Sequence, residues 1–198
     1  KCLEENERPE WADMVHEQFL NDKDFSEYTG IEDAAAGVLA RHVGGLLLNG
    51  LTNISDALAN QLADHKEGRL ELNGVTSLSC KSAAALARHK ENLSLTGLTT
   101  LAENSGHIAL ATKFASHGCQ TYPIVSGIID LAGLTKISAE AAAALGDFKG
   151  EILSFGSLAD LSPEAARGLA KFKGPDIYLG GITSFDRKST RLNSSHRT

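Results

Sequence analysis

A chain of 198 residues, 42% hydrophobic and 22% charged, suits one globular domain or one repeat array with a substantial core. Its formal charge of −6 argues against a basic nucleic-acid footprint, and no apolar run approaches the roughly 20 residues of a membrane span. Cys2, Cys80 and Cys119 form neither a CxxC pair nor an even framework, so each reads as an idle or buried thiol rather than a metal or redox centre.

The chain opens on Lys1 instead of Met, which gives the expectation of a piece cut from a longer protein. From Pro9 to Leu20 the apolar residues Trp11, Met14, Val15 and Phe19 fall at i, i+3, i+4 and i+8, the pattern of an amphipathic helix. Residues 1–30 are expected to cap the open end of a repeat array that begins at residue 31. Asp22, Asp24, Ser26 and Asp33 match positions 1, 3, 5 and 12 of a calcium loop. Glu27 stands where that loop needs Gly, and Asp33 where it needs Glu, so calcium is not expected.

From residue 31 to 185 the chain repeats itself. Six segments align: LLLNGLTNIS from Leu46, LELNGVTSLS from Leu70, LSLTGLTTLA from Leu93, IDLAGLTKIS from Ile129, LSFGSLADLS from Leu153 and IYLGGITSF from Ile177. Their starts lie 24, 23, 36, 24 and 24 residues apart. Each opens with apolar–x–apolar, the alternation of a short half-buried strand. A small residue then permits a turn, at Gly50, Gly74, Gly97, Gly133 and Gly181.

Between segments the pattern predicts short Ala-rich helices, capped by Ser55, Ser79, Ser138 and Ser162, with Pro163 at the first helical position. Leu39, Leu62, Leu86, Phe114, Leu145 and Leu169 recur in register inside them. Three residues later come His42, His65, His89, His117, Phe148 and Phe172. Gly44, Gly68, Asn92, Gly118, Gly150 and Gly174 are expected to end the helices in a left-handed conformation. Stacked strands sit about 4.8 Å apart and helices about 8–10 Å, so the stack should bend gently with its strands inside.

This spacing of LxLxGLTxLS followed by AxxLAxHKG resembles the leucine-rich-repeat class, in particular its bacterial variants with an Ala-containing helix. The resemblance implies an α/β solenoid, with a parallel six-stranded sheet on one face and short helices on the other. It also implies a non-catalytic module that binds a protein or other macromolecule, without cofactor or metal. Alternatives are a structural spacer or surface stalk, or a regulatory array joined to an enzyme elsewhere in a longer protein.

Departures from the repeat mark candidate sites. Gly118 lies eleven residues before Ile129, against two or three elsewhere, so residues 119–128 read as an insertion. Tyr122, Pro123, Ile124 and Val125 make it more apolar than an ordinary surface loop and are the candidate binding residues. The other reading is padding that folds over the edge and buries its own side chains. In the histidine column, Phe148 and Phe172 share the register, which favours packing of a flat ring over a metal ladder. The outward strand positions, Leu47 and Asn49, Glu71 and Asn73, Ser94 and Thr96, Asp130 and Ala132, Ser154 and Gly156, Tyr178 and Gly180, form a mildly polar concave face. That face lacks the Trp, Tyr and Arg typical of binding hot spots.

Residues 186–198 do not continue the repeat. The run from Asp186 to His196, DRKSTRLNSSH, resembles a translated sequencing-library adapter. Arg187, Lys188, Arg191 and Arg197 stand there against Asp186, a net of +3, which leaves −9 for the rest of the chain. Deleting 186–198 should leave the melting temperature unchanged within error; a clear drop would make the tail part of the fold.

Overall fold

The apolar–x–apolar segments become very short parallel strands in the computed structural model, which describes residues 21–117 and 127–182. Four of them form one sheet in chain order: β1 (Lys23–Asp24), β2 (Leu46–Leu47), β3 (Leu70–Glu71) and β4 (Leu93–Ser94). Leu46 pairs with Leu70 and Leu70 with Leu93, the register of the sequence repeat. β5 (Thr100–Leu101) pairs with β7 (Lys136–Ile137). β6 (Ile128–Asp130), β8 (Ile152–Ser154) and β9 (Asp176–Tyr178) form a third parallel sheet.

The described residues therefore form sheets of four, two and three strands, not a single six-stranded sheet. β4 and β6 belong to different sheets, at the one place where the repeat spacing jumps to 36. The repeats on either side are joined instead through their turns. Gly133 N donates to Thr96 O at 2.8 Å, Thr135 N to Thr99 O at 2.9 Å and Ser138 N to Leu101 O at 2.8 Å.

Six helices lie among the described residues: α1 (Asp33–Leu39), α2 (Asp56–Ala63), α3 (Cys80–Leu86), α4 (Ser105–His117), α5 (Ala139–Gly146) and α6 (Pro163–Leu169). Each packs on the next. Ser55, Ser79, Ser138 and Ser162 cap α2, α3, α5 and α6 by accepting from a backbone N–H three residues on. α4 is capped by Asn104, whose Oδ1 accepts from His107 N at 2.9 Å. At 13 residues α4 is nearly twice as long as its neighbours, so part of the surplus in this repeat lies in the helix rather than in the segment after it.

The helix ends depart from expectation. The C-caps Ala40, Asp64, Ala87, Asp147 and Ala170 are right-handed, and the chain closes each helix with tight turns such as His42 N to Leu39 O. Gly44 and Gly68, at φ of 118° and 101°, act later, where the chain turns into the strand. A side chain on Gly68 would strike the backbone of Gly44 and Gly45 in the repeat below. Gly150 and Gly174 are not left-handed, and their Cβ positions are taken by the rings of Phe148 and Phe172.

The core lies between strands and helices. Leu46, Leu48 and Leu51 are fully buried, as are their counterparts Leu70, Leu72 and Val75, Leu93, Leu95 and Leu98, Ile129, Leu131 and Leu134, and Leu153, Phe155 and Leu158. Leu62, Leu86, Phe114 and Leu145 close it from the helix side. Leu72→Ala should cost about 3 kcal/mol, since a buried leucine leaves a cavity that stacked neighbours cannot collapse into. Urea denaturation at equilibrium measures it, and a loss below about 1 kcal/mol would mean that the stack repacks readily.

Candidate functional site

The strand face expected to be open is partly closed on itself. Glu71 is 5% exposed and Ser94 1%. The reason is a polar ladder running from repeat to repeat. Ser26 Oγ accepts from Asn49 N at 3.3 Å, Asn49 Oδ1 from Asn73 N at 3.0 Å, and Asn73 Oδ1 from Thr96 N at 3.1 Å. Asn49 Nδ2 also donates to Glu71 at 3.0 Å, and Ser94 Oγ to Asn73 Oδ1 at 2.7 Å. Arg69 adds ion pairs to Asp22 at 3.2 Å and Glu71 at 3.3 Å. In the third sheet the pattern differs. Asp130 Oδ1 is buried without a hydrogen bond, while Tyr178 on β9 is exposed.

A second ladder ties the helix starts together. Ser55 Oγ donates to Asp33 Oδ1 at 2.8 Å, and Ser79 and Ser82 both donate to Asp56 Oδ1. The Ser79 and Ser82 hydroxyls hold the Asp56 carboxyl below its ordinary range. Ser55 and Ser79 thus serve two repeats at once.

The calcium-loop candidates are drawn apart. Asp22 Oδ1 accepts from Gly45 N at 2.6 Å, Asp24 Oδ1 from Ser26 N at 2.8 Å, and Asp33 is bound to Ser55. No group of three or more His, Cys, Asp or Glu among the described residues is placed to hold a metal ion. Cys80 is exposed, with its sulfur 3.7 Å from Ser105 Oγ; Cys2 and Cys119 lie outside the described residues.

The ring column divides into two stacked pairs. His65 and His89 lie with ring centroids 5.8 Å apart and planes 22° from parallel; Phe148 and Phe172 lie 6.0 Å apart at 7°. His65 and His89 are each 1% exposed, and none of their four ring nitrogens has a partner in hydrogen-bond geometry. Two imidazoles alone fall short of the three or four ligands of a zinc site. His42 Nε2 instead lies 2.6 Å from Asn21 O, and His117 Nδ1 2.8 Å from Ser116 Oγ. His107, which the repeat does not single out, is buried with both nitrogens used. Its Nδ1 accepts from Ala102 N at 2.8 Å and its Nε2 lies 3.0 Å from Leu78 O.

Burial pushes His65 below its ordinary value, and the nearby His42 charge adds to that. Burial pushes His89 down to about 4, and the charges of His65 and Lys113 push the same way. Lys113 is itself buried and donates to Glu91 O at 2.9 Å and Lys90 O at 3.4 Å.

Tyr122, Pro123, Ile124 and Val125 lie outside the described residues, as does everything from 118 to 126. The chain re-enters at Gly127, left-handed at φ 101°, whose O accepts from Glu151 N at 2.6 Å and Ile152 N at 2.9 Å. Compared with protein-family models, with curated proteins and with solved structures, the chain finds no match.

The histidine pair makes stability depend on pH. The unfolded chain takes up a proton at His89 near the ordinary value of 6.5, whereas the folded chain resists until about 4. The contribution of His89 is therefore full above pH 6.5 and declines as pH falls through that window, by about 3 kcal/mol at most. His89→Phe should be tolerated at neutral pH and flatten this decline, while His89→Ala should cost about 1–2 kcal/mol through lost packing. Thermal melts across the window check both. An unchanged pH slope in the Phe variant, or stoichiometric zinc binding that the Phe variant abolishes, would overturn this account.

Proposed function

We propose that this chain is a leucine-rich-repeat-like solenoid module whose role is to bind a protein or other macromolecule, without catalysis and without a cofactor. The observation that carries the reading is the way successive repeats use their polar residues. Asn49, Asn73, Asp33, Ser55, Asp56 and Ser79 are each engaged with a neighbouring repeat, in a framework that holds a surface in place. The strand register at Leu46, Leu70 and Leu93, resumed at Ile129, Leu153 and Ile177, supports the solenoid reading in particular.

On this reading the contact surface lies at the departure from the repeat, residues 119–128, with Tyr122, Pro123, Ile124 and Val125 as its anchors. Burying two such side chains contributes roughly 3–5 kcal/mol before ordering costs, enough to dominate a weak contact. A spacer role is the second reading. The burial of Glu71 and Ser94 favours it, because it removes strand-face groups from any partner.

Replacing residues 119–128 by a two-residue Gly-Ser link separates them. Cross-linking capture from an extract should yield a partner with the parent chain, and the link variant should lose it while keeping its melting temperature. Capture that survives the replacement, or a fold that fails with it, would remove the segment from the binding role.

A further inference from the structure

An open groove of about 760 Å³ lies between α3 and α4. Its floor is apolar and made of small or branched side chains. Ala84 and Ala87 come from α3 and its cap, Ile108 and Ala109 from α4, and all four are half-buried. Its charged lining is entirely cationic. Arg88, Lys90 and His117 are exposed, while Lys113 is buried and donates to the Lys90 and Glu91 carbonyls. No carboxylate is among the described residues that line it.

The repeat supplies a baseline for these charges. The corresponding groove between α1 and α2 is lined by Arg41 and Lys66 but also by Asp64 and Glu67, so its charges balance. Leu39 matches Leu86 in the repeat, and Leu62 matches Phe114. In that register Val43 is replaced by Lys90, Gln61 by Lys113 and Asp64 by Ser116, while Arg41 keeps its charge as Arg88. Two cations are gained and one carboxylate lost, in a chain whose net charge is −6. Cations at helix C-termini also answer the macrodipole. Val43 and Gln61 at the same places show that the fold does not require them there.

We propose that this groove is the docking site of an acidic amphipathic helix from a partner protein, with its apolar stripe on Ala84, Ala87, Ile108 and Ala109 and its carboxylates against Arg88 and Lys90. The inference rests on the reading of the chain as a binding module and names the chemistry of what it binds. α4, with 13 residues, is about 20 Å long, which gives a ledge for two to three turns of a second helix. Helix-in-groove recognition uses apolar anchors at i and i+4 on such a floor, and the charges at the rim set orientation and partner choice. A phosphate backbone would need the cations but not the apolar floor.

The probe is a fluorescein-labelled helical peptide with leucines at i and i+4 and glutamates elsewhere, followed by anisotropy. A matched peptide with lysines in place of the glutamates is the control. The parent chain should bind the acidic peptide saturably, more weakly as salt rises, and should not bind the control. Arg88→Gln with Lys90→Gln should weaken binding about tenfold, and Ala109→Gln, which fills the floor without adding charge, severalfold, with the melting temperature retained in both. Absence of saturable binding, equal binding of the two peptides, or binding that neither variant alters would overturn the proposal. Binding that appears only when residues 119–128 are replaced by the Gly-Ser link would assign the groove to the chain's own segment and overturn it too. Capture of a partner from extract that survives Arg88→Gln with Lys90→Gln, but is lost in the link variant, would remove the groove and leave the binding-module reading standing.

Discussion

Strands of two or three residues supply too few backbone bonds to hold a sheet by themselves, so this fold depends on contact between one repeat and the next. Leu70, Leu72 and Val75 are buried because Leu46, Leu48 and Leu51 lie on one side and Leu93, Leu95 and Leu98 on the other. A single repeat would leave this row open to water. The same dependence fixes the register, because a slip by one residue would exchange Leu70 for Glu71 in the core.

The polar residues follow the same rule. Asn49 and Asn73 each accept from the backbone of the following repeat, and Asp33 and Asp56 each accept from the next helix cap. Side chains that would otherwise compete with secondary structure complete it in the neighbour instead. His65 and His89 are the exception: the stack buries them, and the backbone groups of Gly44, His42, Ala63 and Asn92 approach their rings without reaching hydrogen-bond geometry. Flat-ring packing is retained there at an electrostatic cost that grows as pH falls.

Much of this order is legible in the residues alone, because Leu46, Leu70, Leu93, Ile129, Leu153 and Ile177 mark the strands and four serines mark the helix starts. β1 is not: Lys23 and Asp24 are both polar, and only pairing with Leu46 and Leu47 makes them a strand. The helix ends are misplaced by a reading from glycine, which marks the later turn into the strand rather than the cap. The division into separate sheets is hidden because alternation shows which residues form strands and not which strands pair. At the candidate site, the recurrence of Asn three residues after Leu46 and Leu70 is the available signal for the ladder. Nothing local signals the burial of Glu71, which requires Arg69, just ahead of β3, and Asn49, just past β2, to meet it.

The change of pairing between the third and fourth repeats has a consequence for cooperativity. In a linear array, stability is a sum of unit terms and nearest-neighbour couplings, and the array unfolds as one body only where every coupling is strong. Between Leu93 and Ile129 the strand-to-strand coupling is replaced by the β5–β7 pair, the turn bonds at Thr96, Thr99 and Leu101, and the packing of α4 on α5. The strand pairing thus contains a boundary of a different kind, with β1–β4 on one side and β6, β8 and β9 on the other. Local opening follows such boundaries, so amide exchange should divide there into two foldons, each with its own opening free energy.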